Sequence, residues 1–258
     1  MNGPLTRSTF MRVLLMAVAL AAFPACRQPE APAPPDGEVA QPGATATPAA
    51  PTAPGIPAED RAVDAAEEDG LTVVFFGDSL TAGYGLADPD TEAYPALIGD
   101  RLAEAGIDAT VVNAGSSGET SAGGLRRVDW ILGRTTPDIF VLALGANDML
   151  RGQPPEATRA NLAAIFAKVR QSAPDARLVL AGMEALPNYG EAYGQNYREV
   201  FRSVAEEAGA SLIPFLLKDV GGVAELNQAD GVHPTPRGQE VMAETVWETL
   251  ETIARASS

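Results

Sequence analysis

Residues that could carry out chemistry together stand far apart in this chain. "VVFFGDSLTAGYG", Val73 to Gly85, runs four apolar, β-prone residues into Gly77, Asp78 and Ser79. A serine hydroxyl is a weak nucleophile until an adjacent imidazole takes its proton. The chain has a single histidine, His233, so any imidazole chemistry must use it. In "DGVHPT", Asp230 precedes that histidine by three positions. Both side chains can share one side of a turn, where the carboxylate would fix the imidazole's tautomer and stabilise its charged form. Attack on an ester carbonyl puts negative charge on oxygen, which preorganised donors stabilise. The backbone N–H groups of Ser79 and of Gly115 in "NAGSSGET", with the side-chain amide of Asn147 in "LGAND", could converge there. Glycine at 115 also lets the backbone approach a ligand closely.

Each piece has a plainer reading on its own. Gly-Asp-Ser after a strand suits a helix cap, Asn147 suits a turn, and a lone histidine near a C-terminal helix is commonly structural. Asp78 and Asp148 read as acceptors that order their loops, with metal coordination as the alternative.

The elements that would gather these residues alternate along the chain. "LTVVFF", "ATVVNAG", "DIFVLALG" and "RLVLAGM" are almost wholly apolar, as expected of strands buried on both faces of a parallel sheet. Between them, Leu162, Ile165, Phe166 and Val169 mark one face of a helix, and Tyr197, Val200, Phe201 and Val204 repeat the spacing. Gly106 after "RLAEA" reads as a helix stop. A last helix from about Gly238 to Ala254 would bury Met242, Val246, Leu250 and Ile253. Strand–helix alternation implies an α/β fold with right-handed crossovers. All strands then point one way, so every strand-to-helix loop falls on one edge of the sheet, where ligand sites form.

Together "FFGDSLTAGYGL", "NAGSSGETSAGG", "GANDMLRGQPP" and "DGVHPT" resemble the SGNH (GDSL) hydrolase superfamily, most of all its bacterial periplasmic thioesterase/lysophospholipase and arylesterase branch. The resemblance runs from about Leu71 to the final helix. It implies a flavodoxin-like, three-layer α/β/α sandwich on a central, mostly five-stranded parallel sheet. It also implies hydrolysis of acyl, aryl or thio esters through an acyl-enzyme, without metal or organic cofactor. The triad would be Ser79, Asp230 and His233, and the oxyanion donors Ser79, Gly115 and Asn147. In that branch the region of Met149, Leu150 and "RGQPP" borders the acyl pocket, although an ordinary loop is the alternative. "MEALPNYG" could form another wall, with Leu186 and Tyr189 as apolar contacts and Asp78 beside the substrate. Acyl transfer on the same triad and a non-catalytic envelope binding module are the alternatives to hydrolysis. A phosphotransfer reading of "FFGDSLTAG" is weakened because Leu80 stands where a D-x-D enzyme needs its second Asp.

Composition limits the rest. With 34 acidic residues against 18 basic and a net charge of −16, the surface offers no basic face for nucleic acid. Cys26 is the only cysteine, which excludes an intramolecular disulfide and a cysteine-rich metal site. Arg7 and Arg12 precede an apolar run from Val13 to Phe23, the pattern of a secretory signal. "FPAC" resembles a bacterial lipobox, with Cys26 as the lipidation site, and residues 1–26 are read as signal peptide. Phe23 departs from the aliphatic residue usual at its position, and plain secretion is the alternative. Residues 27–69 hold nine of the 21 prolines and almost no large apolar side chains, so they read as an extended tether. The expectation is one hydrolase domain over 70–256, in or outside a bacterial envelope and facing the periplasm if lipid-anchored. Its partner would be a small acyl ester, with no obligate protein partner.

Overall fold

The computed structural model describes residues 70–258. The segment read as a signal peptide, Cys26 and the Pro/Ala-rich residues read as a tether lie outside the described residues. No helix among the described residues is long and apolar enough to cross a membrane.

Five parallel strands form one sheet in the order β2-β1-β3-β4-β5. They are β1 (Leu71–Gly77), β2 (Ala109–Gly115), β3 (Ile139–Ala143), β4 (Arg177–Ala181) and β5 (Ser211–Ile213). Val73 to Phe76 and Ile139 to Leu142 are wholly buried, because helices cover both faces and leave no polar side to the central strands. One layer pairs α3 (Tyr94–Glu104) with α8 (Pro236–Arg255). The other packs α4 (Ser121–Leu132), α6 (Pro155–Ser172) and α7 (Glu191–Ala208) side by side. The short α1 (Ser79–Ala82), α2 (Pro89–Glu92) and α5 (Ala146–Leu150) complete the α-helices among the described residues, beside 3-10 turns at Pro187–Tyr189 and Ala224–Leu226. This is the three-layer α/β/α sandwich on five strands that the resemblance implied.

The helical faces read from spacing are buried on α6 and α7 as expected. Gly106 (φ 73°) stops α3 in the left-handed region. On α8, Met242, Val246 and Leu250 are buried, but Ile253 is only half-buried and Ala254, one turn beyond Leu250, takes the inner position. β5 had no signature in the apolar runs. It has three residues before Pro214, too few to show a period.

The chain leaves β1 toward β2 on one side and returns to β3 on the other, so the order reverses between β1 and β3. Open α/β sheets bind ligands at such a switch point, outside the carboxyl ends of the strands. Ser79 follows β1 and Asn147 follows β3, which puts both at that crevice.

Candidate active site

Ser79 is the first residue of α1, and the buried Asp78 caps that helix by accepting the Leu80 N–H at 3.0 Å. The His233 ring lies against the serine. Its Nε2 is 3.0 Å from Ser79 Oγ, and its Nδ1 is 2.7 Å from Asp230 Oδ2. Asp230 Oδ1 also accepts the N–H groups of Val232 and His233, both at 3.0 Å. The hydrogen bond from His233, followed by these two backbone donors, holds the Asp230 carboxyl down at about 2. A carboxylate so placed stays ionised and can orient an imidazole across the whole neutral range.

Asn147, on α5, donates one amide hydrogen of Nδ2 to Asp78 Oδ2 at 3.2 Å, and the side chain borders the cavity beside Ser79. Asp148 faces away from the site. Its buried carboxylate accepts the Ser121 N–H at 2.8 Å and the Ser121 hydroxyl at 2.6 Å, tying α5 to the start of α4. The Tyr197 hydroxyl donates to the Gly145 carbonyl at 2.6 Å and secures the turn that leads into α5. Among the described residues no cluster of three or more His, Cys, Asp or Glu is arranged to hold a metal ion.

Gly115 is not placed as the sequence suggested. Its N–H donates to Asn113 Oδ1 at 3.0 Å, so it has no hydrogen left for an oxyanion. A Cβ there would lie 2.3 Å from the Ala82 backbone nitrogen. Glycine is required at 115 because β2 packs directly on the backbone of α1. Three residues on, Gly118 (φ 77°) has an N–H that meets no acceptor among the described residues. Its loop is pinned from two sides. Arg151 Nη2 donates to the Gly118 carbonyl at 2.9 Å, and Arg127 pairs with Glu119 while donating to the Ala114 carbonyl at 2.9 Å.

An apolar cavity of about 380 Å³ opens from Ser79, Asn147 and His233. Leu80, Met149, Leu150, Met183, Leu186 and Phe215 supply much of its wall, and Leu150 and Leu186 remain 47% and 40% exposed. Two expected contacts lie elsewhere. Tyr189 stacks on Tyr193 at 5.2 Å between ring centroids, drawn to the aromatic face of α7 and away from the cavity. Asp78 is 1% exposed beneath the site and acts as a brace between α1 and Asn147, out of reach of a substrate. Sequence reasoning missed Phe215 and Leu217 on the wall, which follow the three-residue β5 in "IPFLL". It also missed Tyr84, whose ring centroid is 4.6 Å from that of His233.

Burial pushes the Asp78 carboxyl up to about 6, against the opposing pull of its bonds from Leu80 and Asn147. A raised carboxyl contributes stability that is full below its unfolded value, 3.8 here, and is lost as pH rises through the folded value. Thermal melts across that window should therefore show the native chain losing ground to Asp78→Asn, by up to about 3 kcal/mol. A difference that does not change between pH 4 and pH 7 would refute the assignment.

Residues 75–241 match the model of the GDSL-like lipase/acylhydrolase family. The esterase TesA of Pseudomonas aeruginosa is 41% identical over 182 residues, covering 70% of this chain and 89% of that protein. The arylesterase of Vibrio mimicus is 36% identical over 188 residues, covering 73% and 92%. Among solved structures, the psychrotrophic esterase EstA from Pseudoalteromonas sp., inhibited by monoethylphosphonate, superposes with a TM-score of 0.66 at 32% identity, covering 72% of this chain and 99% of that one. A sheet ordered 2-1-3-4-5, a serine opening α1 and similarity along nearly the whole length of these enzymes place the chain in the GDSL-like lipase/acylhydrolase family.

Proposed function

We propose that the chain is a serine esterase that hydrolyses acyl or aryl esters, and thioesters of similar size, through an acyl-enzyme. The observation that carries this reading is the unbroken relay Asp230–His233–Ser79, with bonds of 2.7 and 3.0 Å, at the mouth of an apolar cavity. His233 Nε2 takes the Ser79 proton as Oγ bonds to the carbonyl carbon. The tetrahedral oxygen receives the N–H of Ser79, the second amide hydrogen of Asn147 and the N–H of Gly118, which replaces Gly115 in that role. His233 then gives its proton to the departing alkoxide or thiolate, the C–O or C–S bond breaks, and Ser79 is left acylated. Water, deprotonated by the same nitrogen, attacks the acyl carbon; its proton returns to Ser79 Oγ and the acid leaves.

Donors aimed at a developing oxyanion are each worth about 10²–10³ in kcat. Asn147→Ala should lose that much with KM little changed, as read on p-nitrophenyl esters. A rise in KM at constant kcat would assign Asn147 to ground-state binding instead. The reading as a whole is tested with a fluorophosphonate probe. One adduct per chain, mapped by peptide mass to Ser79 and abolished in Ser79→Ala, is expected. An unlabelled chain would favour a non-catalytic module on a hydrolase fold.

The envelope location is part of the same proposal. Arg7, Arg12 and the apolar run Val13–Phe23 support export, and Cys26 offers a lipid attachment point. The mass of the mature N-terminus tests both. A diacylated Cys26 supports an anchor, a shorter unmodified chain supports secretion, and an intact Met1 contradicts both.

A further inference from the structure

Ser79 and His233 are 154 positions apart, and their chemistry depends on how firmly two loops are held together. The loop carrying the acid and base is rigid within itself. Gln228 N–H donates to the His233 carbonyl at 2.7 Å and Gly231 N–H to the Gln228 carbonyl at 2.8 Å, closing the turn. Asp230 Oδ1 holds the N–H groups of Val232 and His233. These bonds fix Asp230 and His233 as a pair, but none of them sets the pair's distance from the serine.

The Gln228 side chain does reach across. Its Nε2 donates to the Tyr84 carbonyl at 2.7 Å, on the turn that leaves α1, and to the Pro234 carbonyl at 3.0 Å, just after His233. The receiving turn is shaped for it. A Cβ at Gly85 would sit 2.2 Å from Gln228 Oε1, and Gly85 has φ 77°. The same bond locates Tyr84, whose ring, tilted 44° to the imidazole at 4.6 Å, walls one side of His233. We infer that Gln228 is a positioning residue that sets the Ser79–His233 separation by clamping the acid–base loop to the nucleophile's turn. The inference rests on the serine-esterase reading above.

Holding a base at its working distance acts on the reacting complex and leaves substrate affinity alone. Displacements of about 1 Å can cost on the order of 10²-fold. Two variants of the full chain separate the clamp from mere bulk. Gln228→Glu keeps the shape but turns a carboxylate toward two carbonyl oxygens, and Gln228→Met keeps the volume with no donor. In both, kcat on a p-nitrophenyl ester and the rate of fluorophosphonate labelling should fall together by roughly 10- to 100-fold, with KM within about twofold of the native value. The melting transition should persist, because Gln239 Oε1 still accepts the Tyr94 N–H at 2.9 Å and ties α8 to α3. Native kcat and labelling rates in both variants would overturn the clamp, as would loss of the folded state in both, which would make Gln228 a general support. Ser79→Ala separates the two hypotheses. If it is inert while the Gln228 variants are native, only the clamp fails; if it stays active, the esterase reading fails first.

Discussion

His233→Ala should fold normally and lose on the order of 10⁶ in kcat for ester hydrolysis. The size follows from there being no substitute. His233 is the only imidazole in the chain, and its Nε2 is the atom 3.0 Å from Ser79 Oγ. The nearest carboxylates cannot take over. Asp230 reaches the serine only through the ring it orients, and its carboxyl, held at about 2, is a very weak base. Asp78 is buried beneath the site and occupied by Leu80 and Asn147. Folding should survive because the His233 loop is closed by backbone bonds to Gln228 and Asp230 that do not involve the ring. The cavity left beside Tyr84 opens to solvent, so added imidazole should restore part of the rate, increasingly with pH as the free base accumulates. A variant that keeps more than about a tenth of the native rate would remove the base from the mechanism.

What the sequence disclosed and what it withheld divide along physical lines. Residues at the ends of β1 and β3 were legible because a parallel sheet sends every following loop to one edge, so Ser79 and Asn147 could be placed without coordinates. Asp230 and His233 were legible because three positions of a turn bring two side chains together. The oxyanion loop was not, since "NAGSSGET" holds two glycines three residues apart and only the backbone decides which N–H is already spent. Gly115 gives its hydrogen to Asn113 and packs on α1, while Gly118 keeps its own. Asp78 looked like a site residue and is a buried strut, a distinction set by how deeply the α1 turn is covered. Tyr84 and Gln228 act through contacts between distant segments, which no local pattern records.

Asp230→Asn is the second large effect, and it isolates tautomer control from loop structure. The asparagine carbonyl can still accept the Val232 and His233 N–H groups from the position of Oδ1, so the turn should stay closed. Its amide nitrogen would then face Nδ1, where Oδ2 now stands at 2.7 Å. An amide donor there requires a bare Nδ1 and leaves the proton on Nε2, which can no longer accept from Ser79. The cost of this wrong tautomer in a Ser-His-Asp relay is about 10⁴ in kcat. The pH profile carries a second check. The stability that Asp230 gains from its bonds is present above 3.8 and lost only as pH falls through about 2, so this carboxylate does not titrate where activity rises. Burial leaves Asp78 changing charge near 6 beneath the site. Asp230→Asn should therefore lower the plateau while a rising limb remains, and a limb abolished with the plateau intact would show that Asp230 itself is the titrating group.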